Sequence, residues 1–480
     1  MKNLAILIFS FLIFHSAIGQ IDNSPNKRVW TLEACILEAW NNSLAVKSTE
    51  YAKEFADINL TQSKHARYPS LNGGSSMFFN FGRSIDPTTN EFVTTTFISN
   101  NWSLNTGMTL FNAGRINNTI KQSRTDVKAS ELDLEQTKND IALQVSTAFL
   151  NVLFSIENLK NANLQLELSQ EQLEQTQQLI DIGTRPVNER LDIEAQIATR
   201  QQTVIVNQNA VDNAYLLLKQ LMRLDPDYVM ELDAPDSIDL FSNPDILTYD
   251  EVYRTAIKTQ KNIAAAEMRV KSAELGVKIA NSGKYPNIGL GGSLGTNYSN
   301  QFRRIIGFNT IRQSQEVFFN GQSATIGTDV EVPVFENNPY FNQLDQNLSY
   351  GFGVNMNIPI YNNYNISANV QRAKLNILNS QNTLQQTQDL VRNNVTTALA
   401  NARAAKLAYE ASLKSVDAQN ASFENAKQRY ELGSINSFEL TSIQNQLETA
   451  QVNLLVSKYD FFFKMKVLDF YMGQPMRLQN

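Results

Sequence analysis

Residues 428–442 read QRYELGSINSFELTS, and residues 178–192 read QLIDIGTRPVNERLD. Each holds an apolar residue, a glycine and a hydroxyl residue, then a glutamate six positions after the glycine. Gly183 and Gly433 stand 250 residues apart, as do Glu189 and Glu439. A glycine after a helix is usually its C-terminal cap. A matched pair needs more explanation. Neither Gly nor Pro occurs among the 68 residues between Gly114 and Gly183, a run that as helix spans about 100 Å. The run from Pro359 to Gly433 is equally uninterrupted. The spacing predicts two long helical hairpins, turning at 183 and 433.

The rest of the chain is duplicated as well. The segment from Thr31 aligns without a gap on the segment from Thr248, an offset of 217, which brings Tyr68-Pro69 onto Tyr285-Pro286. From Phe111 to Gly183 the offset against Tyr361 to Gly433 is 250, so the second copy carries 33 extra residues between Pro286 and Tyr361. The predicted organisation is a first repeat over 20–223, an Asp- and Pro-rich linker over 224–247 and a second repeat over 248–480. Each repeat reads as a helix of about 35 residues stopped by a proline, a strand pair (69–111 or 286–361) and a long helical hairpin. The extra residues place an insertion at about 296–346.

The strands rest on alternation. From Leu348 to Ile360 the even positions are apolar, and Ser349, Gly351, Gly353, Asn355, Asn357 and Pro359 lie between them. Trp102, Leu104, Met108 and Leu110 alternate in the same way with Ser103, Asn105, Gly107 and Thr109. Period two means one apolar and one polar face. A soluble half-buried sheet satisfies that pattern. The small, uncharged polar face and an aromatic at each helix–strand junction (Tyr68, Phe111, Tyr285 and Tyr361) favour a membrane barrel with an interfacial girdle. Four strands cannot close a barrel, and an open edge does not survive in lipid. Three chains and twelve strands are therefore expected, since eight strands leave no lumen.

The helices carry a seven-residue stripe. Val145, Val152, Leu159, Leu166, Leu173 and Ile180 are matched by Val395, Ala402, Tyr409, Val416, Phe423 and Tyr430. Such a stripe is a coiled-coil seam. The remaining helix surface, rich in Gln, Asn, Ser and Thr, reads as a water-lining face or as ordinary exposed surface.

Composition limits the chemistry. Charged residues are 18% of the chain and the net charge is −6, so nothing points to nucleic acid. The first residues, MKNLAILIFSFLIFHSAIGQ, have the charge, apolar run and small-x-small site of a secretory signal over 1–19. Cleavage there leaves no N-terminal cysteine for lipid attachment. No other run long enough to span a bilayer as a helix is evident. Cys35 is the sole cysteine, and His65 the sole histidine beyond the signal. One thiol allows no intrachain disulfide, and one histidine and one thiol are too few for a zinc cluster; a triad needs a placed histidine, whereas His65 reads as structural or solvated, so no cofactor, metal site or enzyme activity is expected.

The duplicated helix openings at Thr31 and Thr248, the two Tyr-Pro pairs, LFNAGRI at 110–116 and the Gly-Thr/Ser turns at 183–184 and 433–434 together resemble the outer-membrane efflux protein family, the TolC-like exit ducts of Gram-negative bacteria. The resemblance covers nearly all of the chain beyond the signal. It implies a homotrimer with a twelve-stranded outer-membrane β-barrel on a periplasmic α-helical tunnel, an α plus transmembrane β-barrel fold. It further implies a periplasmic adaptor and an inner-membrane pump as partners, in a tripartite export system for small molecules. Two alternatives stand beside this: the exit duct of a type I protein secretion system, and a periplasmic coiled-coil scaffold without a pore. One departure is YNNYNI at 361–366, which lacks the glycine of the first copy.

Within that reading the adaptor is expected at the turns, Ile182-Gly183-Thr184 and Leu432-Gly433-Ser434-Ile435. Asp181, Glu189, Asp192, Glu431 and Glu439 are the candidate acids of the pore mouth, where threefold repetition would make rings that favour cations. Arg185, Arg190 and Arg429 are the candidate donors that would hold a closed mouth against carboxylate repulsion. The insertion, with Arg303, Arg304, Phe318, Phe319, Tyr340 and Phe341, is expected to be an extracellular lid over one sector of the pore.

Overall fold

The computed structural model describes residues 29–85, 90–94, 96–233 and 243–474. The expected signal segment, 1–19, and residues 234–242 of the linker lie outside them. In chain order the elements are β1 (Val29–Trp30), α1 (Leu32–Asn42), α2 (Leu44–His65), β2 (Ser70–Asn80), β3 (Ser84–Ile85), β4 (Phe92–Val93), β5 (Phe97–Phe111), α3 (Arg115–Asp181), α4 (Asn188–Met222) and β6 (Glu231–Leu232). The second half follows with α5 (Tyr249–Thr259), α6 (Lys261–Ser282), β7 (Asn287–Ser299), β8 (Arg303–Phe319), β9 (Gln322–Asn337), α7 (Tyr340–Gln346), β10 (Ser349–Asn357), α8 (Asn365–Glu431) and α9 (Ser437–Tyr471). The described residues divide into two compact units, one of those within 29–50, 133–261 and 388–474, the other of those within 51–132 and 262–387.

The second of these units carries a four-stranded antiparallel sheet in the order β10-β7-β5-β2. Its register puts Leu104 opposite Leu294, Met108 opposite Leu290 and Val354 opposite Leu290 on the other side. Directly opposed residues share a face, so the apolar alternation of each strand adds up to one apolar face. The other face collects Ser103, Asn105, Gly107, Gly289, Gly291, Ser293, Gly351, Gly353 and Asn355. The apolar face is uncovered over most of its length: Phe352 is 91% exposed, and Tyr350, Val354 and Met356 are also exposed. Neither β2 nor β10 pairs on its outer edge among the described residues. A water-soluble sheet buries one face and shields its edges; this one does neither. β10 stops at Asn357 and not at Ile360, because Pro359 has no N–H to give to a ladder.

The insertion is more ordered than a loop. β8 and β9 form a regular two-stranded ribbon over almost their whole length, turning at Asn320-Gly321, both at positive φ. That is the Asn-Gly turn which matches the twist of a hairpin. Residues 296–299 belong to β7, and α7 leads from the ribbon back into β10.

The other unit is helical. Trp30, Cys35, Ala39, Val145, Phe149, Val152, Leu218 and Met222 form one buried core between α1, α3 and α4. β1 and β6 add a short parallel ladder, Trp30 opposite Leu232. The heptad seam is fully buried here at Val145, Val152, Val395 and Ala402. Further along α3 the seam residues Leu159, Leu166, Leu173 and Ile180 are only half-buried, and Ala162, Gln165, Ser169 and Thr176, on another face of the helix, are buried instead. Contrary to the expectation of no further spanning run, α3 contains an 18-residue window apolar enough to cross a bilayer by composition; half of that window is buried inside the protein.

The expected 35-residue helices are broken. Ser43 separates α1 from α2 in an extended conformation, and Gln260 does the same between α5 and α6. The two breaks are 217 residues apart, the repeat offset. Neither carries Gly or Pro. Long-range bonds hold them: Asn42 donates to the Met222 carbonyl at 3.2 Å, and Gln260 to the Phe470 carbonyl at 3.2 Å.

Candidate functional site

Both helical turns end in the same way. After α3 the Gly183 N–H donates to the Ile180 carbonyl at 2.9 Å and the Thr184 N–H to Leu179 at 3.0 Å. After α8 the Gly433 N–H donates to Tyr430 at 2.9 Å and the Ser434 N–H to Arg429 at 2.8 Å. These are paired Schellman caps, with φ of 79° at Gly183 and 73° at Gly433. α3 and α8 are each 67 residues long, and α4 and α9 each 35, so the two hairpins are equal.

The turn into each long helix is also shared. Ala113 and Gly114 have positive φ, and so do Asn363 and Tyr364, 250 residues later. The missing glycine of the second copy is therefore replaced within the same turn by a left-handed tyrosine. Gln371 donates to the Tyr364 hydroxyl at 2.7 Å. A bulky residue seldom takes that conformation.

At the turns a cluster joins one hairpin to the other. The Arg185 guanidinium lies 4.1 Å from the centre of the Tyr430 ring and donates to the Tyr430 carbonyl at 2.7 Å. It also approaches the Glu189 carboxylate at 3.6 Å. The Tyr430 hydroxyl donates to the other Glu189 oxygen at 3.2 Å. Glu189 is 7% exposed and Tyr430 8%. Burial, with the Glu189 charge nearby, pushes the Tyr430 phenol above its ordinary pKa. Ala426, Tyr430, Ile435 and Leu440 pack beside it as a small core.

Higher on the same helices, Arg200 of α4 pairs with Glu448 of α9 and donates to Asn445 at 3.0 Å. Both side chains are largely buried. Desolvation raises the Glu448 pKa more than Arg200 lowers it. The spacing of these charged residues in sequence carries no sign of the pairing, which joins residues 248 apart.

The candidate residues divide. Ile182, Gly183, Thr184, Leu432, Gly433 and Ser434 are exposed at the turns, and so are Val187, Leu191 and Phe438, which sequence reasoning missed. Ile435 is not available there: it is 5% exposed, inside the small core. Asp181, Asp192, Glu431 and Glu439 are exposed. Glu439 lies 3.7 Å from Arg429, and its N–H is capped by Asn436 at 2.8 Å. Glu189 departs from its repeat partner: its carboxylate is bound inside the chain and does not face open solvent. The helical repeat set their positions alike; Arg185, for which the second copy has Ile435, separates their roles. Arg190 pairs with Glu194 on the same helix at 3.4 Å and takes no part in the cluster. Tyr68, Phe111, Tyr285 and Tyr361 are all exposed. No cluster of three or more metal-ligating side chains occurs among the described residues.

The chain matches the family model described as outer membrane efflux protein over residues 36–222 and 252–462. It is 22% identical over 436 residues to the outer membrane efflux protein BepC of Brucella suis biovar 1 (strain 1330), covering 90% of this chain and 82% of BepC. Among solved structures it is similar to the outer membrane protein VceC of Vibrio cholerae, with a TM-score of 0.72 at 14% identity over 92% of this chain and 96% of VceC. The CmeC outer membrane channel of Campylobacter jejuni gives a TM-score of 0.70 at 17% identity, over 94% of this chain and 87% of CmeC.

Proposed function

Because the chain belongs to the outer membrane efflux protein family, we propose that three copies of it form a small-molecule exit duct through the outer membrane of a Gram-negative cell, continued into the periplasm by the long helices. The observation that carries this is the sheet. Its two unpaired edges and its bare apolar face leave a single chain with unsatisfied backbone groups and exposed hydrocarbon. Edge-to-edge pairing of three sheets satisfies the first, and lipid covers the second. The small polar face then lines the lumen. A periplasmic scaffold without a pore would have no use for such a face.

The equal hairpins put both turns of every chain at one end of the tunnel. Exposed Ile182, Val187, Leu432 and Phe438 offer apolar anchors there for a periplasmic adaptor, which in turn meets an inner-membrane pump. The Arg185–Glu189–Tyr430 cluster acts as a latch between the two hairpins of one chain, a polar contact that must break if they splay. No step of this function is catalytic.

The test is mass and conductance together. Purified protein in detergent should have the mass of three chains by light scattering, and should insert into planar bilayers with discrete conductance steps. A monomer that forms no channels overturns the proposal.

A further inference from the structure

The described sheet has an aromatic boundary at its helix end, at Phe111, Tyr285 and Tyr361. A second boundary, built differently, stands at the far end of the same apolar face. Trp102 and Tyr298 come from β5 and β7 on that face. Tyr340 and Phe341 come from α7, which belongs to the insertion. The Tyr340 ring lies 4.8 Å from Tyr298 and 5.3 Å from Phe341. Its hydroxyl donates to Asn100 at 2.6 Å and accepts from the Trp102 indole at 3.1 Å. Asn100 and Trp102 have the same parity as Leu104 and Met108, so α7 sits on the apolar face and not on the polar one.

The helix is fixed in that place. Gln343 is buried, donates to the Ser299 and Asn338 carbonyls at 3.0 and 2.8 Å, and accepts from the Ser299 N–H at 2.9 Å. Thr296 donates to the Leu344 carbonyl at 2.6 Å, and Asn347 to the Asn297 carbonyl at 2.8 Å. Lifting α7 would expose or orphan all of these groups, which is costly. Phe341, in contrast, points outward and is exposed.

The span between the two boundaries matches a membrane. From Ile288 to Tyr298 is ten residues, about 33 Å along a strand. With the usual tilt of a barrel strand that is about 25 Å, the height of an outer-membrane apolar band. Tyr and Trp favour the water–lipid boundary because an apolar ring carries a polar tip. We propose that α7 is an outer-leaflet anchor, its aromatic cluster seated in the polar headgroup layer of the membrane's outer face. The proposal rests on the duct reading above. On this reading α7 lies on the lipid side of the wall, away from the lumen that the insertion was expected to lid.

Nitroxide labels on single cysteines in a Cys35→Ala background test it, in vesicles of dioleoylphosphatidylcholine and dioleoylphosphatidylglycerol. The exposed sites are Phe341→Cys on α7, Phe352→Cys in the middle of the band and Phe318→Cys near the tip of the β8–β9 ribbon. The readout is accessibility to oxygen over that to a nickel chelate. The ratio at 341 should lie about twofold or more above that at 318 and about twofold or more below that at 352, as for a boundary position. A ratio at 341 equal to that at 318 puts α7 in water and overturns the anchor, while a lipid-like 352 keeps the duct reading. A ratio equal to that at 352 puts α7 in hydrocarbon and also overturns it. If 352 itself reads as water, the membrane reading fails and the anchor with it.

Discussion

Tyr430, the last but one residue of α8, donates its hydroxyl to the carboxylate of Glu189, the second residue of α4, across 3.2 Å and 241 positions of sequence. Arg185 completes the contact from the same side as Glu189, with its guanidinium on the Tyr430 ring. Hydrogen bonds to a buried charge are worth more than neutral ones, and leaving one partner unpaired costs the desolvation of the other. A small polar cluster can therefore hold two long helical hairpins together at their turns.

If this cluster is a latch, Glu189→Gln should weaken it by about 1–3 kcal/mol, since Arg185 loses its counter-charge in a largely buried place. Tyr430→Phe should weaken it by less. Both variants should raise single-channel conductance in planar bilayers, Glu189→Gln the more. Wild-type conductance in both would mean that the cluster only packs the turn.

Substituting Gly183 and Gly433 with Val tests docking at the turns. Nothing lies within 4 Å of a Cβ added at either position, so the cost is backbone strain at positive φ, about 1–2 kcal/mol each. Trimers should still reach the outer membrane. Export should fail, and crosslinking to the adaptor should be lost. Normal export from a double variant would show that the adaptor binds elsewhere.

The exposed acids should set selectivity. Asp181→Asn, Asp192→Asn, Glu431→Gln and Glu439→Gln combined should reduce the cation preference of the channel, read as the reversal potential in a KCl gradient. Glu189→Gln alone should shift that potential far less than the combined variant, because its carboxylate is turned inward. A shift on Glu189→Gln matching the combined variant would reverse the assignment.

An epitope inserted between Asn320 and Gly321 should be detected on intact cells. The β8–β9 ribbon is tied at its base to the end of the sheet opposite the helices, and the turn is an exposed two-residue hairpin loop. Detection only after the outer membrane is opened would place the ribbon on the periplasmic side.

What the sequence determined by itself is the part of the fold that depends on local periodicity. The two helix lengths follow from where Gly and Pro are absent, and the turn residues from the need for a left-handed conformation at Gly183 and Gly433. The two faces of the sheet follow from alternation, because successive side chains on a strand point to opposite sides. The ribbon was also within reach: Asn320-Gly321 between alternating runs is a strong local hairpin signal. Tertiary structure decided the rest. The breaks at Ser43 and Gln260 are held by bonds to Met222 and Phe470, which no local pattern reports. Glu189 and Glu439 occupy equal positions in the repeat, yet Glu189 is buried and Glu439 is not. The difference lies in Arg185 and Tyr430, and Tyr430 is close only once two distant hairpins have come together. Ile435 is withdrawn from the turn for the same reason. Periodicity sets which face a residue is on; whether that face meets water, lipid or another helix depends on partners hundreds of residues away.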